Sequence, residues 1–203
     1  MRFFPAQKNT GFTLIEALVA ISILMIAIAS PMVIAEKGLT DAVLSGNETT
    51  ASFLAQEGVE SVKNIRDGIA LYSESNPMGA PTSTADWLTG GASGYGPNLS
   101  LCIAPAACNI DGESLTVSAN ASAMQIIRNA SGQFVSFGVN VTGLPSGFTA
   151  ANSMFSRSIS IIQSPGNPAE AKVVSVVSWR APSGFTSATS TDFIYNYAAN
   201  LQY

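Results

Sequence analysis

Glu16 is the side chain whose position most needs a chemical reason. It lies in TGFTLIEALVAISILMIAIASPMVIA, residues 10–35, near the start of an apolar run that contains no lysine, arginine or histidine. An ionised carboxylate costs about 2.5 to 3.5 kcal/mol near the centre of a membrane helix and less towards its ends. Its compensation must come from interfacial water, a proton, or a group carried by another molecule. The other reactive pair is Cys102 and Cys108 in LCIAPAACNI. In an oxidising compartment they are expected to close a short disulfide loop, with two buried thiols as the alternative. Two cysteines without histidine make a poor zinc site, because such sites normally take four ligands.

The chain has no histidine anywhere, so it lacks the commonest general base and the commonest transition-metal ligand. It contains no Gly-x-Ser-x-Gly, and GGASGYG (90–96) has neither a preceding strand nor the Gly-Lys-Ser/Thr ending of a phosphate loop. No catalytic residue, cofactor or metal is expected. The formal charge is −4 and no window is rich in Lys or Arg, so nucleic-acid binding is not expected either. Charged residues make up 11% of the chain, against about 25% in soluble domains, which suits an exported or assembled protein.

The elements that would position Glu16 follow from hydropathy. Ala17 to Ala35 are 19 consecutive uncharged residues, about 28 Å of helix, which matches a bilayer core. Arg2 and Lys8 precede this run and no basic excess follows it, which places the N-terminus in the cytoplasm and the remaining chain outside. A cleaved secretory signal ending at Ala27-Ile28-Ala29 is the rival. Against it stand Pro31 just beyond the cut and an apolar spacing that continues through Leu39, Val43, Leu54, Val62, Ile65 and Ile69. One helix is expected from about Phe12 to Arg66, apolar all round over 12–35 and amphipathic over 36–66, with a kink at Pro31.

Residues 67–113 are rich in Gly, Pro, Ser and Asn and read as a long loop with a short helical turn near Trp87. From 114 to 203 short β patterns follow: SLTVS, MQIIRN, QFVSFGV, FSRSISIIQ, KVVSVVSW and STDFIYNY. Asn129, Ser131 and Gly132 supply a hairpin turn between the second and third. Ile159 and Ile161 share a face, as do Val173, Val177 and Trp179, while Phe193, Tyr195 and Tyr197 alternate with Asp192, Ile194 and Asn196. The fold class is α+β: an antiparallel sheet whose apolar face the amphipathic half of the helix covers.

GFTLIEALVAISIL resembles the N-terminal processing motif of type IV prepilins and of the pseudopilins of related secretion systems. The resemblance implies that residues 1–11 are a leader and that a membrane-embedded prepilin peptidase cuts after Gly11. It also implies that the same enzyme N-methylates Phe12, and that Glu16 attracts the amino terminus of a neighbouring subunit. The implied partners are that peptidase, other pilin subunits and an inner-membrane assembly platform with its ATPase. The implied location is the inner membrane as a single-pass protein, then a pilus or pseudopilus at the surface or in the envelope.

The tail, SRSISIIQ through DFIYNY, is similar to the C-terminal sheet of some minor pilins and minor pseudopilins. Cys102 and Cys108 lie in mid-chain, whereas the disulfide of common major pilins brackets the C-terminal region. A filament subunit is the function the resemblance implies. A pseudopilin of a type II secretion or DNA-uptake system is the alternative, and a membrane-anchored exported enzyme comes last.

Overall fold

The computed structural model describes residues 11, 13–75, 86–90, 96–119, 122–182 and 184–196. The chain divides into two compact units, residues 1–46 and 47–203. Helix α1, Leu14–Ser75, has residues in both.

In the first unit, α1 starts where the Thr13 carbonyl accepts the N–H groups of Glu16 (3.1 Å) and Ala17 (3.2 Å). Its side chains from Leu14 to Ile34 are almost all exposed, as expected of a helix with no polar face to turn outward. Ser22 donates its hydroxyl to the Leu18 carbonyl at 2.8 Å, which satisfies a polar atom inside the apolar run. Pro31 lies within α1, which is helical on either side of it.

In the second unit, α1 is amphipathic. Ala51, Leu54, Ala55, Val59, Val62, Ile65 and Ile69 are buried, while Phe53, Glu60, Asn64 and Asp67 are exposed. The helix ends at Ser75 instead of Arg66. The composition changes after Arg66, but Ile69, 1% exposed, packs with Trp87 and Leu88 in the core, and this burial holds the additional turns.

The sheet is antiparallel and built on one long strand. Its strands are β1 (Cys108–Ile110), β2 (Val117–Ala119), β3 (Ser122–Arg128), β4 (Phe134–Gly138), β5 (Thr149–Ser164), β6 (Asn167–Ala181) and β7 (Gly184–Tyr195). β5 pairs β6 along one edge, and β6 pairs β7. Its other edge is shared: β3 pairs its first half, and β1 meets it further on at Cys108↔Ile159. β4 extends β3, and β2 extends β1. At the expected hairpin, Asn129 Oδ1 accepts the N–H groups of Ser131 (3.1 Å) and Gln133 (2.9 Å), and Gly132 takes φ +75°.

The arrangement is the α+β one expected: the second half of a long N-terminal helix packed on an antiparallel sheet. Beyond the end of α1, the described parts of the segment 67–113 include the expected turn near Trp87, a 3-10 turn at Ser100–Cys102 and a strand that was not expected. A single turn, α2 (Asp86–Thr89), buries Trp87, whose Nε1 donates to the Pro168 carbonyl at 3.2 Å. The unexpected strand is β1, three buried residues too few to show an alternating pattern.

In β7 the inward residue is Ile194, fully buried, while Phe193 (49% exposed) and Tyr195 (44%) point outward. Tyr197 is outside the described residues. The helix approaches the sheet closely at Gly58, where a Cβ would stand 2.5 Å from Ser175 Oγ.

Candidate functional site

The residues at which processing is expected lie together by chain order alone. Gly11 is exposed, and the space around it would admit a Cβ freely. Gly11 and Thr13 are non-helical, so α1 begins only at Leu14. Phe12 lies outside the described residues. A peptidase needs its scissile bond free of helical hydrogen bonds, and a start at Leu14 leaves Gly11 ahead of the first turn.

Glu16 sits in that first turn, where the helix dipole favours a carboxylate. Its side chain is exposed and has no ion pair or hydrogen bond among the described residues.

Cys102 and Cys108 form a disulfide, S–S 1.98 Å with Cα atoms 4.7 Å apart, and both residues are fully buried. It ties a 3-10 turn, Ser100–Cys102, to β1. Next to it, the Ala104 N–H donates to the Ile161 carbonyl at 2.9 Å, so this loop continues the edge of β5 beyond β1. Among the described residues, no three His, Cys, Asp or Glu side chains gather as a metal site.

One charged centre of the second unit was not anticipated. Arg157, in the middle of β5, is fully buried. Its Nε donates to Asn109 Oδ1 and its Nη1 to the Leu54 carbonyl, both at 2.9 Å, and its Nη2 donates to the Ile110 carbonyl. Glu57 Oε1 lies 3.4 Å from Nη1. Burial pushes the Arg157 pKa down, and the charges of Glu57 and Asp111 oppose that shift. One guanidinium thus joins α1, β1 and β5.

A signal for Arg157 was present in the sequence. In FSRSISIIQ it shares the parity of Phe155, Ile159 and Ile161, so strand alternation sends it inward with them.

Asp111 closes the β1–β2 connection beside this centre. Its Oδ1 accepts from the N–H groups of Glu113 and Ser114 and from the Ser114 hydroxyl, and its Oδ2 accepts from Val139 N–H at 2.8 Å. Burial alone would raise its pKa, but these hydrogen bonds outweigh burial and hold the carboxyl below its usual value. Lys63 on α1 pairs with Asp192 of β7 at 2.7 Å and with Glu60 at 2.9 Å.

No curated protein and no solved structure matches the chain. α1 near the N-terminus is long and apolar enough to cross a membrane, and the apolar stretch is exposed throughout. Residues 6–30 match the family model of the prokaryotic N-terminal methylation motif, so the chain carries the N-terminal signature of type IV prepilins and pseudopilins.

Proposed function

We propose that this chain is a structural subunit of a type IV pilus-like filament and has no enzymatic task. It enters the inner membrane as a prepilin with its N-terminus in the cytoplasm. Prepilin peptidase removes residues 1–11 and methylates Phe12, and the trimmed chain polymerises through α1. An assembly platform and its ATPase supply the work, since the sequence has no nucleotide motif of its own.

The observation that carries this reading is Glu16: a carboxylate in the first turn of a membrane-length helix, without an ion pair or side-chain hydrogen bond among the described residues, five residues past Gly11 within the matched motif. An amine freed at Phe12 of a neighbour supplies the missing opposite charge in a poorly hydrated setting, where pairing is strongly favoured.

Mass spectrometry of the N-terminus from the native host is the test. A methylated Phe12 as first residue is expected, and a start at Ser30 would instead establish a signal peptide.

A pseudopilin of a type II secretion or DNA-uptake system is the second reading. The position of the disulfide favours it over a major pilin, because Cys102 and Cys108 clamp the edge of β5 and leave β6 and β7 unbridged. Shearing separates the two, since a pilus subunit is recovered in surface fibres and a pseudopilin remains with the envelope.

A further inference from the structure

β7 is a long strand with an open edge. Among the described residues its only strand partner is β6, which it follows from Glu170↔Tyr195 to Ala181↔Gly184 with no register shift. Edge strands in folded proteins are usually blunted by shortness, proline, lysine or a bulge. The other outer strands, β2 and β4, are short at three and five residues. β7 has twelve residues, no proline, no lysine and no bulge, and it is rich in Thr and aromatic residues that favour strands. Its one charge, Asp192, is engaged by Lys63 and by the Phe193 N–H.

The direction of the open hydrogen-bonding groups follows from the ladder. Asn196 donates its N–H to the Ala169 carbonyl at 2.8 Å, so even-numbered residues of β7 form the hydrogen-bonded pairs with β6. The odd-numbered residues Phe185, Ser187, Thr189 and Thr191 therefore aim their backbone groups at the open edge, as Phe193 does its carbonyl, its N–H being taken by Asp192 Oδ1. Their side chains share the outer face, where Phe185 is 83% exposed and Phe193 is 49% exposed.

The sequence along this edge, FTSATSTDF (185–193), carries a phenylalanine four residues to either side of Thr189 and a small hydroxyl residue two to either side. Two antiparallel copies with Thr189 opposite Thr189 place Phe185 against Phe193 and Ser187 against Thr191. Every one of these pairs joins two odd-numbered residues, which is the condition for edge-facing groups to meet. Asp192 falls opposite Thr186, so no two like charges face each other, and the aromatic pairs meet on one face at both ends.

We propose that β7 pairs edge to edge, antiparallel, with β7 of a second copy of this chain about a dyad at Thr189. The contact is isologous and closes at two copies, so it joins subunits laterally and does not itself propagate a filament. It stands on β7 alone and does not depend on processing at Gly11 or on Glu16.

The test is residue-resolved hydrogen exchange on the full chain in detergent micelles, followed over protein concentration. The amides of Ser187, Thr189 and Thr191 are expected to slow at least about tenfold as concentration rises, an effect of pairing their open groups. The amides of Thr186, Ala188 and Ser190, already bonded to β6, are expected to be slow throughout.

Association through α1 would not produce this odd–even contrast. The paired variants S187K/T191K and S187E/T191E, both on exposed positions, should each lose the concentration dependence, and an equimolar mixture should regain it. The proposal is overturned if the odd-numbered amides are insensitive to concentration. It is equally overturned if each variant alone retains the protection, or if mixing fails to restore it.

Discussion

The Arg157 guanidinium, carried by the central strand, donates to the backbone carbonyl of Leu54 in the middle of α1 at 2.9 Å. That carbonyl also lies one helical turn before Gly58, the residue at which helix and sheet come closest. The helix is thus held to the sheet by a charged hydrogen bond where the absent side chain of a glycine permits the approach. The Ala51, Leu54 and Ala55 side chains that pack the adjoining cluster with Phe155, Val177 and Trp179 depend on the same spacing.

Arg157→Ala is expected to lower stability by about 3 to 5 kcal/mol, because it removes three buried hydrogen bonds, to Asn109 Oδ1 and to the carbonyls of Ile110 and Leu54, together with the ion pair to Glu57. Urea unfolding of the full chain in micelles, followed by tryptophan fluorescence, reads this directly. A loss below about 1 kcal/mol would mean that the surrounding carbonyls find water when the arginine is removed.

Gly58→Ala should cost about 1 to 3 kcal/mol despite alanine's better helix propensity, since its Cβ would meet Ser175 Oγ at 2.5 Å. Ser175 Oγ is itself buried without a hydrogen-bond partner among the described residues, so Ser175→Ala alone is expected to be neutral or mildly stabilising. Combined, G58A and S175A should recover most of the loss, with a coupling of about 1 kcal/mol in a double-mutant cycle. Additivity of the two changes would count against the close approach.

Asp111 predicts an acid limit to stability. Its folded-state pKa lies below the ordinary 3.8, so the carboxylate stabilises the fold fully above that value. The contribution is lost as pH falls through the lower, folded pKa. The wild-type unfolding midpoint should therefore drop steeply below about pH 4, and Asp111→Asn should flatten that part of the profile. The same variant should be less stable than wild type at pH 7, by about 1 to 3 kcal/mol, because an amide cannot accept all of the bonds from Glu113, Ser114 and Val139. Asp192, exposed and paired with Lys63, is shifted in the same direction, so Asp192→Asn is the comparison for a surface ion pair worth under about 1 kcal/mol.

Glu16→Val should leave membrane insertion and trimming intact, since it removes a charge from an apolar run, yet incorporation into filaments should fall at least about tenfold. Gly11→Glu should block processing, with the full-length leader retained on a blot. Normal filament yield from the Glu16 variant would remove the role proposed for that carboxylate.

Local chemistry alone marked the membrane-length start of α1 and the motif around it. A membrane-length helix, its preceding basic residues, Gly11, Phe12 and Glu16 are legible because each is a statement about neighbours in the chain or about the surrounding solvent, and the matched motif rests on the same residues. Strand periodicity likewise marked β3 to β7, whose alternation reports which face is wet.

Tertiary structure decided the rest. Helix α1 continues past Arg66 because Ile69 finds Trp87 and Leu88, residues nearly twenty positions away. β1 exists because a disulfide, Asn109 and Arg157 hold three residues against β5, none of which a three-residue pattern can announce. The orientation of β7 was equally undecided by its own alternation of aromatic and aliphatic side chains. Burial of Ile194 and the reach of Lys63 to Asp192 turn Phe193 and Tyr195 outward. Long-range hydrogen bonds and packing carry no periodic trace in the chain, so these features appear only when distant residues are brought together.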